Sequence, residues 1–147
     1  PDPVDLFVRW VHVLSAVTWL GGMLFIALIL VPVTRRVQDP LLRVDLITQT
    51  GKRFRTVGWI ALGLLVATGV VILLRRPWLL RAPAFQIKAG LVVLTLALSA
   101  LHDFVLGPRA GRLPPSATAP RKRLTWIARL NVLIVLTIVL LGLSLRG

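Results

Sequence analysis

Residues 6–33 read LFVRWVHVLSAVTWLGGMLFIALILVPV, and this stretch decides the fold. Arg9 and His12 are its only ionisable side chains. A helix of about 20 apolar residues spans the hydrocarbon core of a bilayer, which is about 30 Å thick. The stretch therefore predicts a transmembrane helix, which ends near Pro32 and the Arg35-Arg36 pair.

Three further apolar blocks follow, at about residues 56–74, 85–106 and 124–145. Only 16% of the 147 residues are charged, whereas about 25% would be usual in a soluble domain. Within a bilayer only helices and closed barrels satisfy the backbone, and these blocks lack the alternation of barrel strands. The sequence predicts an all-α protein, an antiparallel bundle of four transmembrane helices in one membrane domain.

The chain is strongly basic, with 18 Lys and Arg against five acidic residues and a net charge of +13. The basic residues lie mainly between apolar spans, which indicates topology determinants and contacts with anionic lipid rather than nucleic-acid binding. Twelve lie on the side of loops 34–55 and 108–123, and six on the side of both termini. The positive-inside rule then predicts a bacterial inner-membrane protein with both termini outside. Residues 41–49 are amphipathic and predict a short interfacial helix.

Four polar side chains within the spans are candidate functional residues: His12, Lys88, His102 and Asn131. An ionisable group at membrane depth usually faces a bundle interior and marks a site. Helix rise places His12 and Lys88 level, both roughly 13 Å from the midplane on the outer side, and His102 roughly 7 Å toward the inside. We expect an outer cluster of His12 and Lys88 and an inner cluster of His102 and Asn131. Candidate members are Thr68 for the outer cluster, and Asp103 and Arg129 for the inner one.

Each candidate also has a structural interpretation. A core histidine can bond a backbone carbonyl, and Lys88 can extend its ammonium to the membrane surface. Asp103 and Arg129 can simply pair with each other. Trp19 is deep enough to line the core, whereas the other tryptophans fit an interfacial belt: Trp10, Trp59, Trp78 and Trp126.

The chain has no cysteine, which excludes thiolate metal sites and iron–sulfur clusters. Copper accepts imidazole and, when reduced, thioether ligands, so His12, His102 and Met23 are candidate metal ligands. A haem needs one axial ligand and an apolar slot between helices. The candidate cofactor-binding residues are His12, Lys88, His102, Trp19 and Asn131. Roughly 20 Å along the membrane normal separates the two histidines, so they cannot both ligate one haem iron.

Three segments resemble a known family: RWVHVLSAVTWLGG (9–22), KRFRTVGWIALGLLVATGVVIL (52–73) and FQIKAGLVVLTLALSALHDFVLGPRA (85–110). They are similar to the copper-resistance CopD domain and to the related membrane protoporphyrinogen oxidase of the HemJ type. The second resemblance implies bound haem b and functional roles for His12 and Lys88. His102 also falls where that family often has a histidine, and Arg129 with Asn131 resemble its fourth-span motif.

Three functions stay open at this point. The first is a CopD-like protein that binds or transports copper at the outer face with His12 as a ligand. The second is a HemJ-like haem b protein that oxidises a porphyrinogen or passes electrons to quinone. The third is a structural membrane subunit. The sequence predicts the lipid bilayer and copper or haem as partners, with quinone or porphyrin and a homo-oligomer as open alternatives.

Overall fold

Four long helices account for most of the chain in a computed structural model, which describes residues 2–114 and 116–145. Each is long and apolar enough to cross a membrane, and the described residues include no strand. The prediction of an all-α, four-helix transmembrane protein is therefore confirmed. The helices are α1 (Pro3–Thr34), α2 (Pro40–Arg75), α3 (Pro83–Gly111) and α4 (Thr118–Ser144). Two of them contain π-helical segments, Ile26–Leu30 in α1 and Leu101–Leu106 in α3, and a 3₁₀ turn, Pro77–Arg81, precedes α3.

Local sequence explains where the first two helices begin. The Asp2 carboxylate accepts a hydrogen bond from the Val4 backbone N–H at 3.1 Å, and Asp39 accepts one from that of Leu41 at 3.0 Å. A proline directly follows each of these caps. Proline suits the first helical position because its φ is already helical and its missing N–H would have no partner within the helix.

Helix α2 is longer than the sequence predicted. The amphipathic segment around residues 41–49 is not a separate interfacial helix but forms the first turns of a single 36-residue helix. The cap at Asp39 starts the helix early, and no proline interrupts residues 41–75. A helix of this length extends about 54 Å, so its first turns lie beyond the hydrocarbon core.

The bundle consists of two helix pairs, with α1 packed on α2 and α3 packed on α4, and α1 also contacts α4. Six of the thirteen buried residues that the structure describes are polar: Ser15, Thr34, Thr68, Thr95, Ser99 and Asn131. Many large apolar side chains are instead exposed on the outside, such as Leu28, Val93 and Leu140. An apolar exterior around a polar interior is stable in lipid, and the chain is an integral membrane protein.

Aromatic packing on glycines joins α1 to α2. The Phe54 ring lies directly over Gly22, where an added Cβ would approach its Cε2 to 2.2 Å. Gly58 similarly lies against Trp19, whose Cδ1 would be 3.4 Å from an added Cβ. Trp19 forms the buried core with apolar residues of α2 and α4, namely Ala61, Leu62 and Val135. Small residues thus allow these helices to approach closely.

Ion pairs lie at one end of the bundle, where α1 and α3 begin and α2 and α4 end. We call this the terminal end. Arg75 donates to the Asp2 carboxylate at 2.9 Å, and Arg76 donates to Asp5 at 3.3 Å. Arg9 pairs with the same Asp5 at 3.1 Å. The hydrogen bond from Arg75, helped by the Val4 N–H, lowers the pKa of Asp2 below its usual 3.8. These contacts fasten the start of α1 to the end of α2.

The close contact at Gly22 predicts that Gly22→Ala destabilises the protein. The new methyl group displaces the Phe54 ring, and overpacking of this kind costs about 1–3 kcal/mol. Gly21→Ala is the matched control because no atom lies within 4 Å of an added Cβ there. Thermal unfolding in detergent, followed by circular dichroism, should show a lower midpoint for Gly22→Ala alone. Equal midpoints for both variants would contradict the packing described for Phe54.

The Asp2–Arg75 pair predicts a loss of stability in acid. The pKa of Asp2 is lowered in the folded protein. The contribution of the pair to the free energy of unfolding is therefore complete above about pH 4 and disappears as the pH falls through the lowered pKa. The effect is small because Asp2 is exposed. Between pH 6 and pH 3, the unfolding midpoint should fall further for the wild type than for Asp2→Asn. Parallel pH profiles would show that the pair contributes nothing.

Candidate functional site

His12 lies half-buried in α1 and contacts α2. Its ring Nδ1 is 2.7 Å from the Thr68 hydroxyl oxygen, and its Cε1 would be 3.6 Å from a Cβ added at Gly69. The structure therefore brings together His12 and Thr68, as the sequence predicted for the outer cluster. Gly69 leaves room for the imidazole beside the α2 backbone.

The Thr68 hydroxyl favours one tautomer of the His12 ring. A threonine hydroxyl has one hydrogen, and Thr68 donates it to the Leu64 carbonyl oxygen at 2.6 Å. With the hydroxyl hydrogen assigned in this way, its oxygen accepts from the Nδ1–H tautomer of His12. In that tautomer the lone pair is on Nε2, a nitrogen able to bind a metal ion.

Lys88 extends from α3 toward α4 near the terminal end. Its Nζ would be 3.3 Å from a Cβ added at Gly142, and its Cε 3.9 Å. The side chain is half-buried. It lies against α4 at Gly142, where the missing Cβ leaves space for the ammonium group. The described contacts of His12 are with α2, whereas those of Lys88 are with α4.

His102 belongs to a polar group at the opposite end of the bundle, inside the π-helical segment of α3. Its Nδ1 is 2.9 Å from Asp103 Oδ1, and Trp59 Nε1–H of α2 donates to Asp103 Oδ2 at 2.7 Å. Arg55 donates to the Asp103 backbone carbonyl at 3.0 Å. Sequence reasoning grouped His102 with Asp103 but missed Trp59 and Arg55, because no spacing within one helix reveals a partner on another.

Asn131 does not join His102. Its amide oxygen accepts a hydrogen bond from the Thr95 hydroxyl, and its amide nitrogen donates to the Ser99 hydroxyl at 2.8 Å. Both ends of the amide are thus used to clamp α4 to α3. Arg129 lies over the Trp126 ring at 5.3 Å. The predicted inner cluster is therefore divided into a His102–Asp103 group and an Asn131 clamp.

Trp19 and Met23 both contribute to the apolar core. Trp19 is only 6% exposed, and Met23 packs against the core that it forms. Met23 lies eleven residues after His12 on α1, which corresponds to about 16 Å of helix. The thioether and the His12 imidazole are therefore too far apart to bind one copper ion together.

The two histidines contact α2 at different levels. His12 contacts Thr68, and the His102–Asp103 group contacts Trp59. Nine residues separate Thr68 from Trp59, or about 13 Å along the axis. No group of three His, Asp or Glu side chains suited to a metal occurs among the described residues. The histidines thus occupy separate positions.

The Asn131 clamp predicts that Asn131→Leu weakens the pairing of α3 with α4. Interhelical hydrogen bonds in membranes are each worth about 0.6 kcal/mol on average, so we expect a loss of about 1 kcal/mol in unfolding free energy. A double-mutant cycle with Thr95→Val should give a coupling energy of about 0.6 kcal/mol, because the two residues share one of these bonds. Additive effects of the two substitutions would contradict the clamp.

Comparisons with known proteins identify the family. The family profile of copper resistance protein D (CopD) matches residues 48–145, which include most of α2 and all of α3 and α4 but not α1. An uncharacterised protein of Aquifex aeolicus (strain VF5) is 31% identical over 146 residues, covering 97% of this chain and 94% of the relative. No solved structure matches. The family match supports copper and gives no support to haem, porphyrin or quinone. The chain belongs to the copper resistance protein D family.

Proposed function

We propose that the protein binds copper through Nε2 of His12, near the terminal end of the bundle, and passes the ion on across or along the membrane. The observation that carries the proposal is the contact of His12 Nδ1 with the Thr68 hydroxyl, which itself donates to the Leu64 carbonyl. Metal-binding histidines commonly donate their other ring N–H to a fixed oxygen in this way, which orients the ring and fixes the tautomer.

The chemistry of the chain favours copper held by few ligands. Imidazole binds copper well, and the chain has no cysteine to compete with it. Since Met23 and His102 lie at other levels of the bundle, neither binds the same copper ion as His12. A site with few protein ligands exchanges its ion readily, which suits a protein that transfers copper rather than storing it. Membership of the CopD family supports copper as the ion.

The distribution of charge supports an orientation for this transfer. The end of the bundle opposite the terminal end carries most of the basic residues, including Arg35, Arg36, Lys52 and Arg53. By the positive-inside rule, we propose that this basic end faces the cytoplasm of a bacterial inner membrane and that both termini lie outside. His12 would then meet copper from the outer side.

The proposal predicts that His12→Ala abolishes stoichiometric binding of Cu(I) to the purified protein in detergent. His102→Ala is the matched control, because it removes the other histidine and leaves the His12–Thr68 pair in place. Thr68→Val should weaken Cu(I) binding about tenfold, the usual effect of losing a hydrogen-bond partner of a metal ligand. Thr68→Ser should restore it. Competition with a chromophoric Cu(I) chelator measures all four affinities.

Two results would refute this function. Unchanged Cu(I) affinity in His12→Ala would remove His12 as the ligand. Equal losses in His12→Ala and His102→Ala would show that neither position is specific. Each variant should first be shown to be folded at the temperature of the binding measurement, so that a loss of binding reports on the ligand rather than on the fold.

A further inference from the structure

A groove on the lipid-facing side of the bundle lies between α1 and α2, away from His12. It has a volume of about 460 Å³, within the range of about 300–1,000 Å³ that is usual for small-molecule sites. Most of its lining is apolar, and Gln49, Thr50 and Arg53 lie toward one end. The apolar lining residues are Gly22, Phe25, Ile26, Phe54 and Val57.

The level of the groove in the membrane follows from its walls. Gly22 and Phe25 belong to the long apolar stretch of α1, whereas the wall from α2 changes from apolar at Val57 to basic at Arg53. Lipid headgroups lie where spanning helices change from apolar to charged. The groove therefore begins in the hydrocarbon layer and ends at the headgroups of the leaflet at the basic end.

Arg53 gives the groove its charge. No carboxylate that the structure describes forms an ion pair with this guanidinium. A guanidinium binds phosphate oxygens through two parallel N–H groups. A second groove, of about 320 Å³, runs past Trp10, Leu14 and Ile60 and has no charged side chain among its described lining residues. The two grooves therefore differ in that only the first has a cation in its described lining.

We infer that the groove at Arg53 is a binding site for an anionic phospholipid. One acyl chain lies along Gly22, Phe25 and Phe54, and the headgroup phosphate binds Arg53, with Gln49 and Thr50 within reach of headgroup oxygens. Basic pockets between transmembrane helices on the cytoplasmic side characteristically bind anionic headgroups. The inference does not depend on copper and goes beyond the proposed function.

Native mass spectrometry of the full chain, with equal amounts of phosphatidylglycerol and phosphatidylcholine, tests the site. The wild type should retain phosphatidylglycerol about five-fold more often, the effect expected of one cation at an anionic lipid. Arg53→Gln should lower this ratio to near one, and Arg53→Lys should keep most of it. Lys52→Gln is the matched control because Lys52 is the neighbouring exposed cation but does not line the groove.

Three outcomes would overturn the inference. In the first, the wild-type protein retains phosphatidylglycerol and phosphatidylcholine equally, and this result can be read without any variant. Another is an equal loss of preference in Arg53→Gln and Lys52→Gln, which would indicate a general attraction to basic residues. The third is full displacement of the lipid by inorganic phosphate, which would show that the acyl chain contributes nothing.

Discussion

The absence of water inside a bilayer constrains every polar group that this protein places between its helices. A donor or acceptor there must bond to the protein, because lipid chains offer it nothing. The structure meets this requirement with bonds between helices: His12 to Thr68, Asn131 to Thr95 and Ser99, and Trp59 to Asp103. The first fastens α1 to α2, the second α3 to α4, and the third α2 to α3. The polar residues therefore connect the helices in pairs around the bundle.

One of these bonds also has a chemical consequence. With the Thr68 hydroxyl hydrogen on its own helix backbone, its oxygen accepts from the Nδ1–H tautomer of His12, which has its lone pair on Nε2. The contact that holds these two helices together is thus also the basis of the copper ligand that we propose. The same reasoning assigns Asn131 a different role, because both ends of its amide are used in holding α3.

The sequence predicted the four helices because about 20 consecutive apolar residues permit few alternatives. It also grouped His12 with Thr68 and His102 with Asp103, which lie at similar depth or adjacent in the chain. It did not show that Trp59 binds Asp103 or that Asn131 faces Thr95, because rotation and register between helices are set by side-chain packing. Phe54 on Gly22 illustrates this, since a ring seated on a glycine fixes the level of α2 against α1.

The account depends most directly on the tautomer of His12. Histidine labelled with ¹⁵N gives distinct signals for protonated and unprotonated ring nitrogens, and the chain has only two histidines. The His102→Ala variant therefore leaves one imidazole to observe in the metal-free protein at neutral pH. The account predicts a protonated Nδ1 and an unprotonated Nε2, with the Nε2 signal shifting when Cu(I) is added. A proton on Nε2 with the lone pair on Nδ1 would contradict it.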